Sequence, residues 1–338
     1  MPGIYLHIPF CKKACTYCDF HFSTSTLGRE RVLNAMLLEL EQRAAELKGT
    51  VGTIYFGGGT PSLLAPAEIA HFMQDMRARF VVAVEAEVTL EANPDDITAE
   101  RLSAWKAGGI TRISLGTQSF REDRLRFMGR AHSSEQALRS IALIAKAGFT
   151  SWTIDLIYGL PGMTLDEWDE QLTIALDQGM PHLSAYCLTV EARTALAYQV
   201  GKGLVAMPED DEQSAQFDRL MERMEAAGLD HYEISNFGKP GHHSRHNTSY
   251  WDGATYLGIG PSAHSFDSTV RRWNVSNNAA YVKALADGTL FWEREELTPA
   301  QRTNERLMTG LRTARGVDLS KLEVDALRIN SSAFQQHV

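Results

Sequence analysis

Apolar positions in the first half of the chain follow two alternating patterns. Short apolar runs at 4–8, 52–57, 86–91, 111–115, 152–157 and 182–188 read as strands. Between the first two runs, Leu33, Leu37, Leu40, Ala44 and Leu47 recur at spacings of four and three. That is one buried face of a helix. The same periodicity predicts helices at about 66–79, 98–107, 134–147 and 165–178. Ser133 with Gln136, and Thr164 with Glu167, have capping-box spacing and mark two of these starts. Six strand–helix units imply an α/β fold with a mostly parallel sheet and helices outside it. Periodicity leaves open an open doubly wound sheet or an incomplete barrel. In either, ligands bind at the carboxyl ends of the strands.

After residue 190 the pattern changes. Residues 209–227 read as a charged amphipathic helix, and a glycine-interrupted strand follows around Tyr256 to Pro261. Thr298-Pro299 with Gln301 marks another helix start. We expect a large first domain over 1–200 and a smaller α+β domain over 201–338.

A chain of 338 residues with 44% apolar content can bury a large core. Forty-two acidic against 33 basic residues give a net charge of −9, which argues against a phosphate-backbone binder. No stretch approaches the length of a membrane span, and the N-terminus lacks a basic region followed by an apolar run. The expectation is a cytoplasmic protein.

Candidate chemistry begins at the first strand's end, with Cys11, Cys15 and Cys18 in C-x3-C-x2-C spacing. Three clustered thiols are one short of the usual shell of a structural zinc or an ordinary iron–sulfur cluster. Either one coordination position stays open, or a histidine such as His7 or His21 completes a zinc site. A disulfide is disfavoured in a reducing cytosol. Other unusual residues also fall at strand ends. Gly57-Gly58-Gly59-Thr60-Pro61 follows the second strand and lacks the lysine of a phosphate-binding loop. It reads as backbone exposed to a ligand, or as a tight turn. Glu91, Gln118 and Asp155 lie at or near later strand ends. They suit ribose hydroxyls, an ammonium or a carboxylate, or alternatively pair with Arg112 or Arg130 and cap turns.

These residues carry a resemblance. Tyr5-x-His7-x-Pro9-Phe10-Cys11-x3-Cys15-x-Tyr17-Cys18 resembles the radical S-adenosylmethionine enzymes. More narrowly it is similar to the oxygen-independent coproporphyrinogen III oxidase family. Gly57 to Pro61, Glu91-Ala92-Asn93-Pro94, Gly116-x-Gln118-Ser119-Phe120, Gly129-Arg130-x-His132 and Asp155 to Gly162 extend the match, over roughly residues 3–315. The resemblance implies an incomplete (β/α)6 barrel with a smaller C-terminal α+β domain. It implies a [4Fe–4S] cluster on Cys11, Cys15 and Cys18, with one iron left for S-adenosylmethionine. Tyr5 and Tyr17 would flank that cofactor. Gly58, Gly59 and Thr60 would meet its methionine part. Glu91, Gln118, Arg130 and Asp155 would hold its polar groups and ribose. An electron donor such as a reduced flavodoxin is implied as well.

Two departures choose the branch. The oxidases carry a further cysteine two positions after the third, where this chain has Phe20. They also extend further before the first tyrosine. Both features, with His246-Asn247-x2-Tyr250-Trp251, resemble the HemW-like haem chaperones. That branch implies haem as ligand, with His246, Tyr250 and Trp251 as candidate contacts. It also implies an apo-haemoprotein acceptor, such as a membrane respiratory complex met by transient peripheral contact. Radical cleavage of S-adenosylmethionine remains open, and coproporphyrinogen oxidation is not expected. Alternatives are a true oxygen-independent oxidase and a metal-stabilised scaffold without catalysis. The winged-helix-like tail usual in the family looks shortened, the chain stopping at Val338.

Overall fold

The computed structural model describes residues 1–322. Six parallel strands form its centre: β1 (Gly3–Ile8), β2 (Val51–Gly58), β3 (Val82–Ala92), β4 (Arg112–Gln118), β5 (Ser151–Tyr158) and β6 (His182–Cys187). They lie side by side in sequence order. A doubly wound sheet would reverse its order at a switch point. The unbroken order, with helices between successive strands, is that of an incomplete (β/α)6 barrel.

Alternation within the strands explains why the barrel holds a site. One face carries Ile4, Leu6 and Ile8, then Ile54 and Phe56, Val88 and Leu90, Ile113 and Leu115, Ile154 and Leu156, and Leu183, all buried in the core. Side chains alternate across a strand, so the other face takes the residues between them. These are Tyr5 and His7, Thr53 and Tyr55, Thr89 and Glu91, Arg112 and Ser114, Thr153 and Asp155, and Ser184. Register aligns them across the sheet: Tyr5 pairs with Tyr55, Glu91 with Ser114, Ser114 with Thr153, and Asp155 with Ser184. A parallel sheet covered by apolar layers on both sides reads as continuous apolar runs. Here one face is polar.

Later residues continue the same sheet at both edges. β7 (Asp230–Glu233) and β8 (Asn236–Gly238) extend it antiparallel beyond β6. β9 (Tyr256–Ile259) lies parallel to β1, followed by antiparallel β10 (His264–Phe266), β11 (Val270–Asn274) and β12 (Trp292–Glu296). The expected caps form: Ser133 and Gln136 close a capping box, as do Thr298 and Gln301, and Thr164 accepts from the Glu167 amide. The His246 segment is the helix Arg245–Trp251, capped by Ser244. The expected shortened tail falls largely after residue 322, outside the described residues. Among those described, no helix is long and apolar enough to cross a membrane.

Candidate functional site

The loop after β1 is fixed on several sides. Cys11 N donates to Ser23 O at 3.0 Å, and Thr16 N to Met128 O at 3.0 Å. Lys12 Nζ reaches Asp95 at 2.6 Å and also pairs with Asp96, tying the loop to the turn after β3. The glycine run supplies the other anchor. Gly59 N donates to Ile8 O at 2.9 Å and Thr60 N to Phe10 O at 2.7 Å. A Cβ on Gly59 would fall 2.7 Å from Phe10 O, and Gly58 has φ 103°. Only glycine combines this close approach with that backbone geometry at no steric cost. The run therefore works first as the turn that seats the cysteine loop.

Cys11, Cys15 and Cys18 are half-buried, free of disulfides, and line one cavity of about 470 Å³. Tyr17, Gly58, Gly59, Thr60, Glu91, Gln118, Arg130 and Asp155 line the same cavity. The strand-end residues singled out in the sequence thus converge, with Tyr5 one layer behind. Among the described residues, no three His, Cys, Asp or Glu side chains form a ready-made metal cage. Burial, followed by the neighbouring Cys15 and Cys11, pushes the Cys18 thiol up to about 11. Thr60 Oγ1 lies 3.5 Å from Cys11 Sγ, and Arg130 Nη1 lies 3.4 Å from Cys15 Sγ.

Arg130 is held by Asn93 Oδ1 at 2.7 Å and Gly116 O at 2.9 Å, while its Nε is buried with no protein partner. Glu91 accepts from Tyr55 Oη at 2.7 Å. Burial raises its carboxyl to about 8, and the nearby Asp155 adds to the rise. Asp155 accepts from Ser114 Oγ at 3.0 Å, and burial brings its carboxyl to about 6. Gln118 closes β4 at φ 64°, in a left-handed conformation that costs a non-glycine residue roughly 1–3 kcal/mol. A register shift between Leu115 and Gln118 puts it there.

Tyr5 stacks on Tyr55 with ring centres 6.1 Å apart, and Tyr55 meets Glu91. Tyr5 itself lines a second cavity, of about 690 Å³, together with Tyr250 and Trp251. Phe20, 64% exposed, borders both cavities. His246 lies behind this second cavity and is 1% exposed. Its Nδ1 is 2.8 Å from Thr53 Oγ1, its Nε2 is 2.9 Å from Tyr250 Oη, and its ring stacks on Tyr55. Both nitrogens are engaged, and burial lowers its pKa to about 3. Sequence reasoning had missed Tyr55 and Ser114. Strand alternation from Tyr5 and Glu91 could have found them.

Residues 5–173 match the family model described as the radical SAM superfamily. The haem chaperone HemW of Mycobacterium tuberculosis is 40% identical over 326 residues, covering 95% of this chain and 84% of that protein. HemW of Bacillus subtilis is 34% identical over 322 residues, covering 94% and 85%. The solved coproporphyrinogen III oxidase HemN of Escherichia coli, a radical SAM enzyme, superposes with a TM-score of 0.83. That likeness covers 99% of this chain and 81% of the other at 24% identity, and it is a likeness of fold.

Proposed function

The chain belongs to the HemW family within the radical SAM superfamily, and from this we propose that it is a haem chaperone carrying a [4Fe–4S] cluster and S-adenosylmethionine. The observation that carries the reading is the convergence of three free thiols with Glu91, Gln118, Arg130 and Asp155 on one cavity. Cys11, Cys15 and Cys18 would hold three irons of a cluster. Three thiolates suit a cluster that keeps its fourth iron for another ligand. The buried, uncommitted Nε of Arg130 beside them fits an anionic occupant. When bound, the cluster supplies an electron able to cleave the sulfonium of S-adenosylmethionine. The protein's own part is to bind, orient and exclude water.

Each residue then has a role. Asp155, oriented by Ser114, accepts from ribose hydroxyls. Glu91, steadied by Tyr55, faces the cationic end of the cofactor. Gln118 is presented by its left-handed turn, and Tyr17 closes one side of the cavity. Tyr250 and Trp251 are kept as porphyrin contacts, with His246 positioning Tyr250. Residues 11–191 supply the cluster cavity, and residues 250–318 supply most of the porphyrin surface.

The oxidase reading is the competitor, because the fold is shared. Phe20 argues against it: an aromatic ring stands where the oxidases place a further cysteine. The reconstituted protein is incubated without oxygen with reductant, S-adenosylmethionine and coproporphyrinogen III. No protoporphyrinogen IX is expected. Decarboxylation with enzymatic turnover would replace the chaperone by the oxidase.

A further inference from the structure

The second cavity raises a question that the sequence motif does not answer, namely which atom meets the iron. A porphyrin site needs a broad apolar lining, an axial donor, and cations for the two carboxylates. A volume of about 690 Å³ lies within the usual range for ligand sites, roughly 300–1,000 Å³. The aromatic lining is there. Tyr250 and Tyr256 meet edge to face with ring centres 4.8 Å apart, and Phe266 lies 6.4 Å beyond Tyr256. Such rings can cover a macrocycle face. Arg271, which pairs with Glu305 at 2.8 Å, supplies a guanidinium on the same wall. Guanidinium groups match carboxylates in geometry as well as in charge.

The histidines sort themselves by what already occupies their nitrogens. His246 does not line this cavity, and both its ring nitrogens are engaged by hydroxyls. His7 lines it, but Nδ1 meets Tyr5 Oη at 3.2 Å and Nε2 meets His21 O at 2.8 Å. His264, at the start of β10, also lines it. Its ring stacks on Trp273 with centres 6.2 Å apart, and among the described residues no hydrogen bond engages its nitrogens. Its neighbour Ser265 is buried and bonds the backbone of Gly258, at 2.9 Å from the amide, which fixes the strand that presents it.

We infer that this cavity is the haem site and that His264, rather than His246, supplies the axial nitrogen to the iron. The inference rests on the haem-chaperone reading and adds to it the ligand. Imidazole is an ordinary axial donor to haem iron, and here it stands free among rings that can hold the porphyrin. Bond formation needs no oxidant or reductant: a nitrogen lone pair enters an open iron position.

The test is ferric haem titration of the full chain, followed by absorption and paramagnetic resonance, for the wild type and three variants. The wild type should show nitrogen-ligated iron. His264→Ala should lose that signature and bind haem at least tenfold more weakly. His264→Cys should replace it with a thiolate signature, which a misfolded or merely weakened site cannot produce. His246→Ala should weaken haem uptake, because it loosens Tyr250, but should keep nitrogen-ligated iron. If both His264 variants retain the nitrogen-ligated spectrum, or if the wild type shows none, the ligand assignment falls while haem binding stands. If the wild type takes up no haem, the assignment and the chaperone reading fall together.

Discussion

Thr53 and His246 hold each other across 193 positions of sequence, with Thr53 Oγ1 at 2.8 Å from His246 Nδ1. Thr53 belongs to β2, and His246 to the helix Arg245–Trp251. The backbone amide of His246 also donates to Glu87 Oε1 at 2.9 Å. This short helix is therefore bolted to the polar face of the barrel. It sets Tyr250 at the edge of the second cavity, so the two halves of the proposed function share one joint.

Replacing His246 with Ala should loosen that joint. It leaves the buried Thr53 hydroxyl without its partner and frees the half-buried Tyr250 hydroxyl at the cavity wall. An unpaired buried group costs about 1–3 kcal/mol. Chemical denaturation should show a loss of about 1–3 kcal/mol. A loss below about 0.5 kcal/mol, the range of ordinary surface changes, would contradict the buried clamp.

Replacing Cys15 with Ala leaves two thiols at the cavity. Iron and sulfide content after reconstitution without oxygen should fall from cluster stoichiometry to background, and the reduced paramagnetic signal should vanish. Tight retention of zinc by the wild type under the same conditions would contradict the cluster.

Asp155 is proposed to accept from ribose hydroxyls. A hydrogen bond to a charged group is worth about 1.5–3 kcal/mol, so Asp155→Ala should weaken S-adenosylmethionine by roughly ten- to a hundredfold. Asp155→Asn keeps an acceptor and should lose less. Calorimetry on the cluster-loaded protein measures both, and an unchanged affinity for Asp155→Ala would remove it from the site.

Glu91 gives the binding a pH dependence. Its carboxyl is raised to about 8 by burial, so in the ligand-free protein it is mostly protonated near neutrality. A cationic ligand favours the carboxylate, and binding must then release a proton. Affinity should rise with pH, by up to about tenfold per unit below 8, and level off above it. Glu91→Gln should flatten this rise. A wild-type affinity independent of pH between about 6 and 8 would contradict the coupling.

Much of this architecture was legible because the barrel is built from local repeats. The run 4–8 became Gly3–Ile8, and the periodicity at 66–79 became the helix Pro66–Arg79. The convergence of Cys11, Glu91, Gln118 and Asp155 followed from one rule, that successive parallel strands end on the same rim. What escaped depends on distant partners. Nothing near Tyr256 announces that its strand will pair with β1, and nothing near His246 announces Thr53. The polar segment around His246 is a seven-residue helix whose stability comes from Ser244, Glu87 and Thr53 rather than from its own apolar face. Tyr5, expected beside the cofactor, lines the second cavity and stacks on Tyr55, which lines the cysteine cavity, because the two strands are paired residue for residue at that point.

The central claim is haem delivery, and the most direct measurement is transfer itself. The cluster- and S-adenosylmethionine-loaded protein is charged with haem, separated from free haem, and mixed without oxygen with an apo-haemoprotein whose holo form has a distinct absorption spectrum. Haem should pass to the acceptor faster than it dissociates into a buffer containing only a haem scavenger, and the chaperone should be recovered free of haem. Transfer no faster than passive loss to the scavenger would contradict the claim.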